Sequence, residues 1–178
     1  MEGGRLSFVS EEAYTWHRAY ASDLLKKWSI LQKSIPYLEN KSPVEVLTEK
    51  RGRRMPPDVR MLAVETEAHM RYFSSFAAYA TVSDAFCRRF GSVTSFFYRI
   101  YEDAMQTEAP FLFVGTGRDG GLMTGTDSDM LACGRPVLAL DLCEHAYFYD
   151  YRFDRKAYVK AMVNCLDVGK LLSEKEEM

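Results

Sequence analysis

From Ser10 onward, apolar and aromatic residues recur every three or four positions. Tyr14, Trp16, His17, Tyr20, Leu24, Leu25 and Trp28 follow the period of a helix running to about Leu31. Ser10 supplies an N-cap, and Glu11 and Glu12 suit the positive end of the helix dipole. The next stretch is punctuated by Pro36, Pro43, Pro56 and Pro57. Within it, Ser42-Pro43-Val44-Glu45 predicts a short helix over roughly 43–50, with Ser42 capping and Pro43 in the first turn. The helical period then returns over about 58–80, with Met61, Leu62, Glu65, His69, Tyr72, Phe73 and Phe76 expected inward. Long helices on either side of a broken connector predict an antiparallel hairpin.

Beyond Ser83 the pattern changes. Asp84–Phe90 reads as a short helix closed by Gly91, and Ser92 caps another over about 93–106. Phe111–Val114 is a short apolar strand, Gly121–Thr124 a second, and Pro136–Asp141 a third. Between the first two lies Gly115-Thr116-Gly117-Arg118-Asp119-Gly120, which matches GxGxxG. A dinucleotide site needs a helix after those glycines. A strand follows instead, so the segment reads as a β-hairpin turn. Thr126–Asp129 reads as a loop, Glu144–Tyr151 as a bend or short helix, and about 155–172 as a last helix before a charged tail expected to fray.

Composition narrows the class. At 178 residues, 47% hydrophobic and 27% charged, the chain has the make-up of an ordinary globular protein. A net charge of -2 argues against non-specific nucleic-acid binding by the chain as a whole. Cys87, Cys133, Cys143 and Cys165 show no CxxC spacing, which fits reduced thiols in a reducing, intracellular compartment. No apolar run reaches the length of a membrane span. The first residues resemble neither a secretory signal nor a transit peptide.

The candidate chemistry centres on Asp141 and His145. A carboxylate and an imidazole four residues apart, at the end of a buried strand, suit one metal ion, although most such pairs are salt bridges or helix caps. Glu65 and His69, also four apart, share a helix face. His17 falls on or beside an apolar stripe, where a hydrogen-bonded core residue is the commoner outcome. Lys50, Arg51, Arg53 and Arg54 form a basic segment that suits phosphate but more often makes a solvated loop.

Several blocks together resemble the iron/manganese superoxide dismutase family. Asp141-Leu142-Cys143-Glu144-His145-Ala146-Tyr147-Phe148-Tyr149-Asp150-Tyr151 is similar to that family's D-V-W-E-H-A-Y-Y-x-D-Y, with its following Arg and Tyr at Arg155 and Tyr158. Phe90-Gly91-Ser92 with Phe96 is similar to F-G-S-x-x-x-F, and Ala68–Tyr72 to N-H-x-x-Y. Ser10–His17 and Lys41–Glu45 resemble the first and connector helices. The resemblance implies an α+β fold: an N-terminal helical-hairpin lobe (1–82), then an α/β lobe (83–178) with a three-stranded antiparallel sheet. It implies one iron or manganese ion per chain, held by His17, His69, Asp141 and His145, which would absorb all three histidines. Superoxide would be the substrate. Glu65, Phe111, Tyr72 and Cys143 would surround the metal, and Glu144, His145 and Tyr147 would bridge a dimer.

The match has gaps at positions the family uses for access and proton delivery. Its gateway tyrosine falls on Leu25, a nearby histidine on Ala21, and the tyrosine paired with that histidine on Phe148. Its tryptophans fall on Phe111 and Cys143, and a solvent-bonding glutamine on Glu65. Two expectations therefore stand. One is a retuned dismutase, paired with an identical chain or a related one. The other is a dismutase-like structural subunit of a mitochondrial ribosome or another large assembly, with Lys50, Arg51, Arg53 and Arg54 touching RNA.

Overall fold

The structure, a computed structural model, describes residues 6–77, 82–117, 119–126 and 134–173. Helix α1 spans Glu11–Ser34, and Ser10 Oγ accepts from Ala13 N at 3.2 Å. Its buried face is Ala13, His17, Ala21, Leu24 and Trp28, a single narrow stripe. Trp16, Tyr20 and Leu25, which follow the same helical period, are exposed, Trp16 by 78%. Ala13 and Ala21 take the contact side because small residues let the helices approach closely.

Helix α2, Pro43–Thr48, begins with a full capping box between Ser42 and Glu45. It ends two residues earlier than expected, and a 3-10 turn, Gly52–Arg54, follows. Helix α3, Pro57–Ser74, packs antiparallel in sequence order against α1, with Val59, Ala63, Thr66, Glu67, Ala68, His69 and Tyr72 buried. Met61 is 62% exposed, contrary to the expectation from its type. The expected extension of this helix to residue 80 also fails, since its last helical residue is Ser74. There the backbone turns to other partners: Asp167 N donates to Ser75 O at 2.8 Å and Ala77 N to Cys165 O at 3.2 Å. A bridge between Phe76 and Leu166 completes the junction.

Helices α4 (Asp84–Phe90) and α5 (Val93–Gln106) match their predicted bounds, with Ser83 and Ser92 as caps. Gly91 separates them at φ 81°, a left-handed value that glycine adopts without strain. The sheet has strand order β2-β1-β3, all antiparallel, from β1 (Phe111–Gly117), β2 (Leu122–Gly125) and β3 (Gly134–Asp141). β1 and β2 form the hairpin expected in place of a dinucleotide loop: Thr116 pairs with Leu122, and Asp119 Oδ1 accepts from Gly121 N at 2.9 Å. Between β1 and β3 the register slips at Val114/Gly115, opposite Pro136, which lacks an N–H. The outer edge of β3 is covered by α3. Ala139 N donates to Ser75 Oγ at 2.9 Å, and Arg71 reaches Pro136 O, so that edge is not left open.

Helix α6 spans Glu144–Tyr151 and α7 Arg155–Val163, and α8 is a short Lys170–Ser173. The single last helix expected over 155–172 is therefore two. The break has the same cause as the early end of α3, because Cys165 and Asp167 bond across to residues 75–77 instead of along a helix. The main core runs between α3, α5, α7 and the sheet and includes Tyr72, Phe86, Phe96, Ile100, Leu112, Leu138, Leu140, Tyr158 and Met162. A smaller cluster, with Trp28, Leu38, Val46, Val59 and Ala63, closes the far end of the hairpin. Residues 78–81, beside the expected lobe boundary, residues 127–129 of the expected loop, and residues 174–178 of the tail lie outside the described residues.

Candidate metal centre

Four separate elements deliver His17, His69, Asp141 and His145 to one point. His17 comes from the second turn of α1, His69 from α3, Asp141 from the last position of β3, and His145 from the first turn of α6. One ligand-type atom from each lies within 4.8 Å of the others. Asp141 Oδ2 is the hub, at 3.1 Å from His17 Nε2, 3.3 Å from His69 Nε2 and 2.9 Å from His145 Nε2. Donor atoms about 2.1 Å from a shared ion stand about 3 Å apart at right angles and about 4 Å apart across it. The three distances to Asp141 Oδ2, and the 3.2 Å between His69 Nε2 and His145 Nε2, are of the right-angle size.

The tautomer of His69 decides what the cluster needs. Its Nδ1–H donates to the Glu65 backbone carbonyl at 2.7 Å, so in the neutral ring Nε2 carries a lone pair. That lone pair faces Asp141 Oδ2 and, at 3.2 Å, His145 Nε2. An acceptor turned toward a carboxylate is repelled unless a cation lies between them. A proton serves in the bare protein, and a metal ion would serve all four groups together. The chemistry of the donor set, three imidazole nitrogens and one carboxylate oxygen, fits iron or manganese.

The electrostatics point the same way. Burial alone would raise Asp141, which is fully buried, yet the bonds from His145 and His17 hold it well below the usual carboxylate range. Burial lowers His17 and outweighs the bond to Asp141. His145 goes up: burial opposes its charge, but the hydrogen bond and charge of Asp141, with Glu65 and Glu144, prevail. His145 is also the one of the four with a substantially exposed side chain, at 35%.

Asp141 is held from three directions. Its Oδ1 accepts from Cys143 N at 2.9 Å, and its backbone carbonyl accepts from Tyr158 Oη at 2.9 Å. Tyr158 in turn stands 3.2 Å from Tyr72 Oη, so Tyr72 donates to it. The Tyr72 ring lies 4.8 Å from the His17 ring, and Phe111 lies 5.4 Å from His69. Thus Tyr72, Phe111 and Cys143 all adjoin the cluster. Cys143 Sγ is 3.7 Å from Pro110 O, and burial is the first cause that pushes its thiol up. Glu65 lines a cleft of ≈ 360 Å³ with Pro57, Arg60, Met61, Val64, Pro110 and Phe111. Its carbonyl orients His69.

Of the residues expected to bridge a dimer, Glu144 and His145 are at the surface. Tyr147 is not: it is buried and stacks on Tyr158 at 5.0 Å. The basic segment is partly engaged. Arg51 lies 4.5 Å over the Tyr37 ring, Lys50 and Arg54 are solvent-accessible, and the Arg53 side chain lies outside the described part. Gly52 packs so close that a Cβ there would meet Val46 O at 1.7 Å.

One residue near the centre was absent from the sequence-based set. The Tyr20 ring lies 4.8 Å from His145 and 5.3 Å from His69. The signal was available, since Tyr20 follows His17 by three positions and so shares its helix face. Burial, followed by the charges of Glu65 and Asp141, raises its phenol.

Residues 78–173 match the family model described as iron/manganese superoxide dismutases, C-terminal domain. The chain belongs to the iron/manganese superoxide dismutase family. A stretch of 34 residues is 53% identical to iron superoxide dismutases of Plasmodium falciparum and Plasmodium vivax. It covers 19% of this chain and 17% of those enzymes, so the likeness to them is local. The α+β architecture with its three-stranded antiparallel sheet is that of the superoxide dismutase family's C-terminal domain. His17 and His69 precede the matched residues, and it is the packing of α1 and α3 that adds them to Asp141 and His145.

Proposed function

We propose that this superoxide dismutase homologue holds one iron or manganese ion through His17, His69, Asp141 and His145 and disproportionates superoxide to O2 and H2O2. The observation that carries the reading is the lone pair of His69 Nε2, turned toward Asp141 Oδ2 at 3.3 Å, an arrangement that calls for a cation. When bound, the metal would supply a redox couple able to accept an electron from one superoxide and return it to another. The chain's own residues do the rest. Glu65 O fixes the His69 tautomer, and Cys143 N and Tyr158 Oη orient Asp141 at both its side chain and its carbonyl. Burial of His17, His69 and Asp141 excludes water from all but the His145 side. The Tyr72–Tyr158 pair holds a shared line of hydroxyl protons ending on Asp141 O.

The test is metal content of the purified chain together with superoxide decay. The expected result is about one iron or manganese per chain and decay faster than the same metal in free solution. A loaded chain with no excess rate would remove dismutation while leaving the metal site. We further propose that Glu144 and His145 mark a pairing face, because Phe148 and Tyr149 are exposed on the same helix, α6, and Phe153 is exposed just beyond its end. A mass measurement in solution that gives a monomer would discard it.

A further inference from the structure

Resting on the metal-centre reading above, we propose that Tyr20 governs the approach of small anions to the centre and helps hold them there. Of the four ligand-type side chains, His17, His69 and Asp141 are buried, and His145 is exposed by 35%. A solute reaching the cluster through the described residues therefore comes in beside His145. Tyr20 stands at that opening. Its ring contacts both His145 and His69, at interplanar angles of 43° and 58°, while 40% of the residue remains open to solvent. It thus spans the distance between bulk water and two of the four groups that would hold the metal.

The phenol also has the right chemistry. Its hydroxyl has no hydrogen-bond partner among the described residues, so it is free to donate to a bound anion. The groups around the opening are otherwise poor hosts for an anion. Glu144 is exposed beside His145, and Glu65 acts on both Tyr20 and His145 through its charge. A neutral donor carried on a ring that lies against the imidazoles offsets that acidic surround without adding a charge. The neighbouring positions on α1 cannot take the part: Ala21 is buried and Leu25 has no donor.

Azide is a suitable probe, because it is a small anion that ligates iron and manganese and is read optically without turnover. Three metal-loaded proteins are compared: the parent, Tyr20→Phe and Tyr20→Ala. Metal content is expected to be equal in all three, because Tyr20 is not among the four ligand residues. Tyr20→Phe should weaken azide binding about threefold to tenfold, the range for one lost hydrogen bond. Tyr20→Ala should also raise the azide association rate severalfold in rapid mixing, because the ring no longer covers the opening. Unchanged affinity in Tyr20→Phe with an unchanged rate in Tyr20→Ala would overturn the role of Tyr20 while leaving the metal site intact. A parent protein that loads metal but binds no azide would overturn it too. A parent protein that takes up no metal overturns the metal-centre reading itself and this inference with it.

Discussion

Asp141 has a different partner at each of its oxygens. Oδ2 faces three imidazoles, Oδ1 takes the Cys143 amide, and the backbone carbonyl takes the Tyr158 hydroxyl. The last contact is the inner end of a chain, Tyr72 to Tyr158 to Asp141, in which each hydroxyl donates inward. The two tyrosines are therefore unequal. Tyr158→Phe strands both the Tyr72 hydroxyl and the Asp141 carbonyl in a dry core and should cost about 1–3 kcal/mol or more. Tyr72→Phe removes only a donor to Tyr158, and its cost should be nearer 0.5–1.5 kcal/mol. Urea denaturation of the two variants checks the order, and a larger loss for Tyr72→Phe would contradict the assigned direction of donation. At this scale, the ligand-type residues were legible from the D-x-x-E-H block and the count of histidines. Tyr20 was not singled out, because a tyrosine at helical spacing reads as core. Only the packing of α1 against α3 and α6 shows it beside two imidazoles.

Among the elements, the junction of α3, β3 and the α7–α8 turn has the most consequence. Ser75 sits at its centre: Oγ donates to Arg71 O at 2.7 Å and accepts from Ala139 N, while the Ser75 carbonyl accepts from Asp167 N. Ser75→Ala would leave the Ala139 amide buried on the edge of β3 without a partner. A loss of about 1–3 kcal/mol is expected, with faster hydrogen exchange at Ala139 than at the β1-paired amides of the same strand. Equal protection in parent and variant would show that another group covers that edge. This junction explains both helix lengths that the hydrophobic period overstated. The period continues through residues 75–80 and 164–172, but backbone groups at 75–77 and 165–167 find one another across the fold. Such pairings carry no local signal. The starts of helices are a contrast, since Ser10, Ser42, Ser83 and Ser92 each act on an amide only three residues away and were readable directly.

For the whole molecule, one ion held by α1, α3, β3 and α6 would tie the hairpin helices to the sheet. Metal removal should therefore lower global stability as well as empty a site. At free metal a thousandfold above its dissociation constant, the linkage amounts to about 4 kcal/mol. The expected outcome is a chelator-induced fall in melting temperature in the parent and little or no response in Asp141→Ala, whose hub is missing. Equal chelator responses in the two proteins would place the bound metal elsewhere.

By itself, the sequence determined the order of elements, the helix starts, the antiparallel hairpin in place of a dinucleotide loop, and the residues able to ligate. Each of these depends on neighbours within a few positions or on a short block such as Asp141–Tyr151. Only the tertiary structure decided that His17 and His145, 128 positions apart by their numbers, share one carboxylate. It also decided that the His69 lone pair faces inward, that α3 stops at Ser74, and that Tyr20 stands at the exposed side of the centre. Those outcomes follow from where packed elements cross, and contacts between residues distant in the chain leave no periodic trace along it.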